Sequence, residues 1–324
     1  MVNGNRAVRR AVRIWGDMVD LAIVIVNYNT RDDLDRCLRS IASSEGDFTR
    51  QVIVVDNAST DGSAEMVRAE HPWVDRLIVT DHNGGYAYAN NIGLRALGFG
   101  EGAGTSTLPR YVLLLNPDTI LPPTALKEML DFMDRSPEVG AAGPKLVRQD
   151  GRLDLACRRS FPTPAVSFYR MVGLSKLFPS SPRFARYNMT FLDPDVEAEV
   201  DAVVGAFMMI RAEALQEAGL LDEAFFMYGE DLDLCYRIKQ RGWRIVYHPQ
   251  VVVVHVKGAS SRKSSRRAII AFYDAMRIFH DKHYRASTPA LVNFLIDLGI
   301  TAFKALALAQ DRLRPAERKR VASA

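Results

Sequence analysis

The chain has 324 residues, 48% hydrophobic and 25% charged, which exceeds the roughly 150-residue norm for one domain and predicts either one large globular domain with an appendage or two domains. A net charge of +4 is too small to argue for a nucleic-acid partner. The three cysteines, Cys37, Cys157 and Cys235, are widely spaced, suit a reducing compartment and offer no CxxC metal pair.

Residues 1–19 are basic, lack the apolar core of a signal peptide and read as an N-terminal arm or short helix. Residues 21–26, LAIVIV, form the kind of run that a parallel sheet buries on both faces, and they end in Asn27-Tyr28-Asn29-Thr30. Thr30 is placed to cap the next helix, with Asp32 and Asp33 in its first turn and Leu34, Leu38 and Ile41 at helical spacing. Residues 51–55, QVIVV, predict a second strand that ends at Asp56 and the turn residues 57–63. A helix at 65–70 and a strand at 77–80 follow. Three strand–helix units predict a right-handed, mainly parallel α/β sheet.

His82-Asn83-Gly84-Gly85-Tyr86 is a glycine loop ahead of a helix at 87–97. It is not GxGxxG, and its glycines are expected to supply positive φ and close backbone approach. Residues 98–107 read as a flexible connection. The apolar run 111–115 predicts a central strand that stops at Asn116-Pro117, because proline removes a backbone donor. Asp118 therefore lies just past the carboxyl end of that strand, where open α/β sheets place ligands. It can hold a divalent cation and, through it, a diphosphate, although the same tripeptide alone also makes an ordinary turn.

A helix at 123–135, a strand near 139–147 and a hairpin at Asp150-Gly151 come next. Residues 158–195, rich in proline, aromatics and arginine, have no clean period and read as an acceptor-facing loop. Strand character returns at 200–210. A helix follows at 232–241, with Glu230 and Asp231 at its start, where free N–H groups favour carboxylates. Two short strands are expected at 244–246 and 251–254, the second closing on His255 as a satisfied edge residue or a ligand. The mobile basic run after it holds Lys257 and Arg262, suited to closing over a diphosphate.

The last helices are predicted at 269–284 and 289–311. In the second, Asn293, Asp297, Lys304 and Asp311 fall within about 40° of one another at about 100° per residue. A helix with so narrow a polar stripe packs on the domain or a second subunit, or lies in a membrane interface, and the basic end 312–320 favours the membrane. No run of about 18 uncharged apolar residues marks a transmembrane helix.

Four blocks now coincide in order: VNYNT (26–30), VDNASTDGS (55–63), NPDT (116–119) and GEDLDLCYRIKQRGW (229–243) followed by strand-end His255. Over roughly residues 21–257 they resemble the GT-A glycosyltransferases of family 2, and within them the rhamnosyltransferase-like group. The resemblance implies a Rossmann-like, mainly parallel central sheet flanked by helices, spanning residues 20–265, with a C-terminal helical extension at 266–324. It implies an inverting enzyme that takes a nucleoside diphosphate sugar, dTDP-L-rhamnose above others, and Mg²⁺ or Mn²⁺. The acceptor is expected to be a glycan or polyprenyl-diphosphate-linked saccharide in cell-surface polysaccharide synthesis. By the same resemblance Asp231 is the general base, with Glu230 beside it, and Asp118 and His255 are metal ligands. Asn27, Thr30, Asp56, Asn83, Gly85 and Asn116 match the nucleotide-sugar contacts, and Lys257 and Arg262 the cations near the diphosphate. Asn116 replaces the first aspartate of the DXD metal motif, so one carboxylate is missing.

The implied setting is cytoplasmic, peripheral on the inner face of the cell membrane, without nucleic acid, and compatible with a homodimer through the last helix. Two other functions fit less well. A nucleotidyltransferase needs a glycine- and lysine-bearing loop after the first strand, where this chain has Asn27-Tyr28-Asn29-Thr30. A non-catalytic sugar-nucleotide-binding or assembly subunit would have lost the base, and Asp231 is present.

Overall fold

The computed structural model describes residues 19–100, 108–256 and 265–313. Residues 1–18, most of the 98–107 connection, the basic run containing Lys257 and Arg262, and the tail beyond residue 313 lie outside the described residues.

Strands β1 (Leu21–Asn27) and β4 (Tyr111–Leu115) are buried at every position, as their unbroken apolar runs require. With β2 (Arg50–Asp56) and β3 (Arg76–Val79) they form a parallel array in the order β3-β2-β1-β4. Helices α1 (Arg31–Ala42), α2 (Ser63–Glu70) and α3 (Tyr86–Ala96) connect these strands. Helix α3 sits so close to the sheet that a Cβ on Gly93 would come within 2.5 Å of Val24. The strand order reverses between β1 and β4, the switch point where open sheets leave a crevice.

The second half of the sheet is mixed. It comprises β5 (Thr119–Ile120), β6 (Val139–Val147), β7 (Ala198–Glu199), β8 (Phe207–Arg211) and β9 (Arg244–His255), with helices α4 (Ala125–Arg135), α5 (Pro164–Met171), α6 (Leu174–Leu177), α7 (Ala212–Ala218) and α8 (Glu230–Gln240) between them. β8 runs antiparallel between β4 and β6, and β6 pairs in parallel with β9. The carboxyl ends of β1, β2, β4 and β9 and the amino end of β8 therefore open on one edge. Short β5 pairs antiparallel with the end of β9 and sets Thr119 opposite His255.

Three expectations change. The two strands expected at 244–246 and 251–254 are one 12-residue strand, because the irregularity around Pro249 is absorbed as a register shift against Pro144 and Lys145. Thr30 occupies the N-cap of α1 but its side chain does not cap the helix. Its hydroxyl donates to Asn27 Oδ1 at 2.7 Å instead, and the backbone N–H of Arg31 finds Asp61 Oδ2 at 2.9 Å. The region 158–195 is not wholly irregular, since Thr163 caps α5 through Val166 N–H and α6 follows.

The C-terminal helices are α9 (Ser265–His283) and α10 (Ala290–Leu313). α10 is long and apolar enough, by length and composition, to cross a membrane, although its few charges break it into shorter uncharged runs. Helix α9 is tied to α8 through Asp233, which is fully buried and accepts from His283 at 2.7 Å and Arg237 at 2.9 Å, with Lys282 also 2.9 Å away. Phe161, Tyr236, Phe279 and Tyr284 pack around this contact.

Burial alone would raise the Asp233 pKa, but the hydrogen bond to His283 and the charges of Arg237 and Lys282 hold it down at about 2. A folded-state pKa below the ordinary value stabilises the fold above about pH 4, and this stabilisation is lost as pH falls toward 2. Asp233→Asn is expected to cost ~2–4 kcal/mol at neutral pH. Urea midpoints of variant and wild type should differ at neutral pH and draw together only as pH falls through about 2. Equal midpoints at neutral pH would remove Asp233 as the anchor of α9.

Candidate active site

The ends of β1 and β2 lie side by side, with Asn27 paired to Asp56. Both are buried, and the turn after β2 knits them together. Ser59 N–H donates to Asp56 Oδ1 at 2.9 Å, Asn27 Nδ2 donates to Ser59 Oγ at 3.1 Å, and Thr60 N–H donates to Asn29 Oδ1 at 2.8 Å. Burial pushes the Asp56 carboxyl up, against the hydrogen bonds from Ser59. Asn57 reaches the glycine loop: its Nδ2 donates to Asn83 Oδ1 at 2.9 Å and its Oδ1 accepts from Gly84 N–H at 3.2 Å. Gly85, at φ +97°, lies where a Cβ would be 2.3 Å from the Phe226 carbonyl, so both expected uses of glycine are present there. Asn27, Thr30, Asp56, Asn83 and Gly85 are thus gathered at the carboxyl end of β1 and β2. Asn116 closes β4, and its carbonyl accepts from Thr119 Oγ1 at 2.8 Å within the turn.

Asp118 and His255 meet because β5 carries the chain from the Asn-Pro-Asp turn onto the end of β9. His255 Nε2 lies 3.3 Å from Asp118 Oδ1, and His255 Nδ1 lies 2.9 Å from Asp154 Oδ2. Burial alone would lower the imidazole pKa, but the two carboxylates raise it to about 9. Asp154 is 1% exposed, follows the Asp150-Gly151 turn, and also accepts from Ala156 N–H at 3.2 Å. Among the described residues no group of three or more His, Cys, Asp or Glu side chains could enclose a metal ion. One carboxylate and one imidazole nevertheless fit an ion held mainly by waters and substrate phosphate oxygens. Asp154 would then orient His255 as a carboxylate behind a ligating histidine does.

Asp231 stands at the start of α8, behind Tyr228 and Gly229, both in left-handed backbone. Its Oδ2 accepts from Arg159 Nη2 at 2.6 Å and from Gly205 N–H at 3.1 Å, and its Oδ1 from Leu232 N–H at 2.7 Å. Arg159 is buried as well, and stays charged because Asp231 outweighs its desolvation. Glu230 is treated oppositely. Burial and the neighbouring Asp231 charge push its carboxyl well above the usual range, and its buried Oε2 has no hydrogen-bond partner. Two adjacent carboxylates thus stand in unlike surroundings: Asp231 accepts from Arg159 and two backbone N–H groups, while burial and the Asp231 charge press Glu230 toward its neutral form. Tyr86 donates to the Gly205 carbonyl at 2.8 Å, and burial, with the nearby carboxylates, pushes its phenol well above the usual range.

Sequence reasoning missed Arg159, Asp154, Asn57 and Tyr86. The only local signals were the position of Asn57 within the 55–63 block and that of Tyr86 after the glycine pair. Arg159 and Asp154 meet their partners 72 and 101 residues away.

Residues 19–269 match the family model described as "Glycosyltransferase like family 2". The chain is 31% identical over 265 residues to the N-acetylglucosaminyl-diphospho-decaprenol L-rhamnosyltransferase of Mycobacterium tuberculosis, covering 81% of this chain and 85% of that one. It is 25% identical to the rhamnosyltransferase WbbL of Escherichia coli, covering 76% and 87%. In fold it resembles a mannosyltransferase of Pyrobaculum calidifontis solved with GDP-Man and Mn²⁺, with a TM-score of 0.51, 19% identity, and 92% and 76% of the two chains covered. The chain spans less than half, 44% and 42%, of two further solved chains of similar fold, GalNAc-T7 and S. aureus TarS.

Asp154→Asn keeps the size of the side chain but removes the carboxylate on His255. Binding of Mn²⁺ together with a nucleoside diphosphate, followed by calorimetry, is expected to weaken about 10–100-fold. Unchanged affinity would show that His255 needs no second partner.

Proposed function

Because the chain belongs to the glycosyltransferase-like family 2 it is a glycosyltransferase, and we propose that it moves L-rhamnose from dTDP-L-rhamnose, with inversion, to a hydroxyl of a polyprenyl-diphosphate-linked saccharide in cell-surface polysaccharide synthesis. The sugar and the lipid-linked acceptor follow the name of the mycobacterial relative, and the dTDP carrier follows the resemblance to the rhamnosyltransferase-like group. The observation that carries the chemistry is the buried Asp231 carboxylate, held by Arg159 at 2.6 Å on the edge that also holds Asp56 and Asp118.

In this reading Asp56, Asn27 and Thr30 receive the nucleoside, with the Asn83–Gly85 loop beside them, and Asn116 lies next to the sugar diphosphate. The acceptor oxygen attacks the anomeric carbon and its proton passes to Asp231. The bond from that carbon to the β-phosphate oxygen breaks, and its electron pair leaves on the nucleoside diphosphate. A carboxylate fixed at a helix start and paired with a buried arginine suits a general base. Glu230 beside it is pressed toward its neutral form by burial and by the Asp231 charge. Asp118 and His255 would hold Mg²⁺ or Mn²⁺, which supplies positive charge to the leaving diphosphate. Lys257 and Arg262, proposed to assist there, lie outside the described residues. The apolar outer face of α10 supports a peripheral position on the inner face of the cell membrane, next to a lipid-linked acceptor.

Release of nucleoside diphosphate with Mg²⁺ or Mn²⁺ tests the donor across dTDP-rhamnose, UDP-glucose, UDP-galactose, UDP-GlcNAc and GDP-mannose. Metal-dependent release from dTDP-rhamnose alone is expected, and release from a UDP or GDP sugar instead would discard the rhamnosyl assignment. Asp231→Asn is expected to lower kcat at least ~10²-fold, whereas Glu230→Gln, which mimics the protonated acid, should stay within about tenfold. The reverse ranking would make Glu230 the base. Asp118→Asn is expected to raise the metal concentration needed for half-maximal rate, and an unchanged requirement would remove Asp118 from the metal site.

A further inference from the structure

We infer that α5, α6 and the loop after them form, together with α10, one surface that docks on anionic lipid. The inference rests on the glycosyltransferase reading only through the membrane position proposed there for α10. The chain carries 38 Asp and Glu in 324 residues, yet residues 158–192 contain none, against six Lys and Arg. Arg158 and Arg159 turn inward and Arg170 stacks on Tyr187 at 4.2 Å, while Lys176, Arg183 and Arg186 are exposed. Among these cations the same segment exposes Phe168 at 57%, Val172 at 50%, Leu177 at 70% and Phe178 at 46%, far more than isolated surface apolar residues require.

α10 is turned the opposite way from an ordinary surface helix. Its polar stripe faces the protein: Asp297 accepts from Arg285 at 3.0 Å, Lys304 donates to Asp274 of α9 at 2.6 Å, and Asn293 Oδ1 lies 2.7 Å from His280 Nε2. Asp311 is buried, so the outer face presents Leu291, Phe294, Leu295, Leu298 and Leu306 without an acidic residue among them. The helices that carry the two patches are neighbours, since a Cβ built on Gly299 of α10 would lie 3.9 Å from Met171 at the end of α5.

A second copy of the chain fits this surface poorly. A two-fold contact would place Lys176, Arg183 and Arg186 near their own equivalents, with no acidic residue of the segment to meet them. A bilayer with anionic headgroups accepts both the apolar side chains and the cations around them. The same segment carries Arg159, which donates to Asp231 at 2.6 Å, so the stretch of chain that forms the docking surface also holds the partner of the base.

Flotation of the full chain with vesicles of phosphatidylcholine alone, or mixed equally with phosphatidylglycerol, tests this. Wild type is expected to float with the mixed vesicles. The triple variant K176A/R183A/R186A should lose at least about tenfold of that preference. F168S/L177S/F178S should bind both vesicles more weakly, with nucleotide-sugar binding and circular dichroism unchanged. If both triple variants float like wild type while L291S/F294S/L298S does not, the inference is overturned and the α10 contact alone survives. Wild type that floats with neither vesicle overturns both membrane statements, while the donor-release measurement reports separately on the transferase reading. A dimer in sedimentation that F168S/L177S/F178S splits would overturn it in favour of self-association.

Discussion

A buried carboxylate is tolerable only if a cation or a set of donors holds its charge, or if it keeps its proton, because an uncompensated one costs several kcal/mol. This chain crowds Asp118, Asp154, Glu230, Asp231 and Asp233 around one end of its sheet, and the neighbouring structure follows from how each is accommodated. Asp118 and Asp154 share His255, Asp231 has Arg159, and Asp233 collects Arg237, Lys282 and His283. Glu230 forms no ion pair among the described residues, and burial with the neighbouring Asp231 charge outweighs the pull of Arg159 and favours its neutral form. Helix α9 is required where it lies because it completes the shell of Asp233, and the 158–192 segment because it delivers Arg159. These ionic contacts therefore position elements that hydrophobic packing alone would leave free to slide.

The backbone shows where that positioning is most demanding. Of the four non-glycine residues with left-handed φ among the described residues, Asn29, Ala58 and Tyr228 border the crevice. Such conformations each cost about 1–3 kcal/mol and persist where surrounding contacts over-determine them. Asn29 is held by Thr60, and Tyr228 precedes the glycine that opens α8. The loop before α8 hangs on α3 through Tyr86 N–H to the Phe226 carbonyl and through Asn91 to Leu221. The base and the glycine loop are in consequence set by one helix.

The parallel half of the sheet was legible in the sequence because each strand there is an unbroken apolar run, and Asp56, Asp118, Asp231 and His255 stood out because each closes or opens a regular element. What could not be read were partners distant in sequence. Arg159 lies in a stretch without periodicity, and Asp154 reads as part of a hairpin. Thr30 misled because Asn27, three residues earlier, offers its hydroxyl a better acceptor than the helix needs a cap. Pro249 misled because a long paired strand can absorb a bulge that would have ended a short one. The outward face of α10 was ambiguous on a helical wheel, which shows a polar stripe but not which way it points.

The attachment of α10 has a consequence for how the molecule responds to ionic strength. The helix is pinned near its start by the buried His280–Asn293 contact, while farther along it is held by partly exposed charge pairs at Asp297 and Lys304. Such pairs contribute about 1 kcal/mol or less in water and are screened by salt within roughly a Debye length. Against a layer of low dielectric the same pairs strengthen, because water no longer competes for them. The charged part of the attachment is therefore softer in salty solution and firmer at an apolar boundary, while buried Ile300 and the His280–Asn293 contact hold the helix in both.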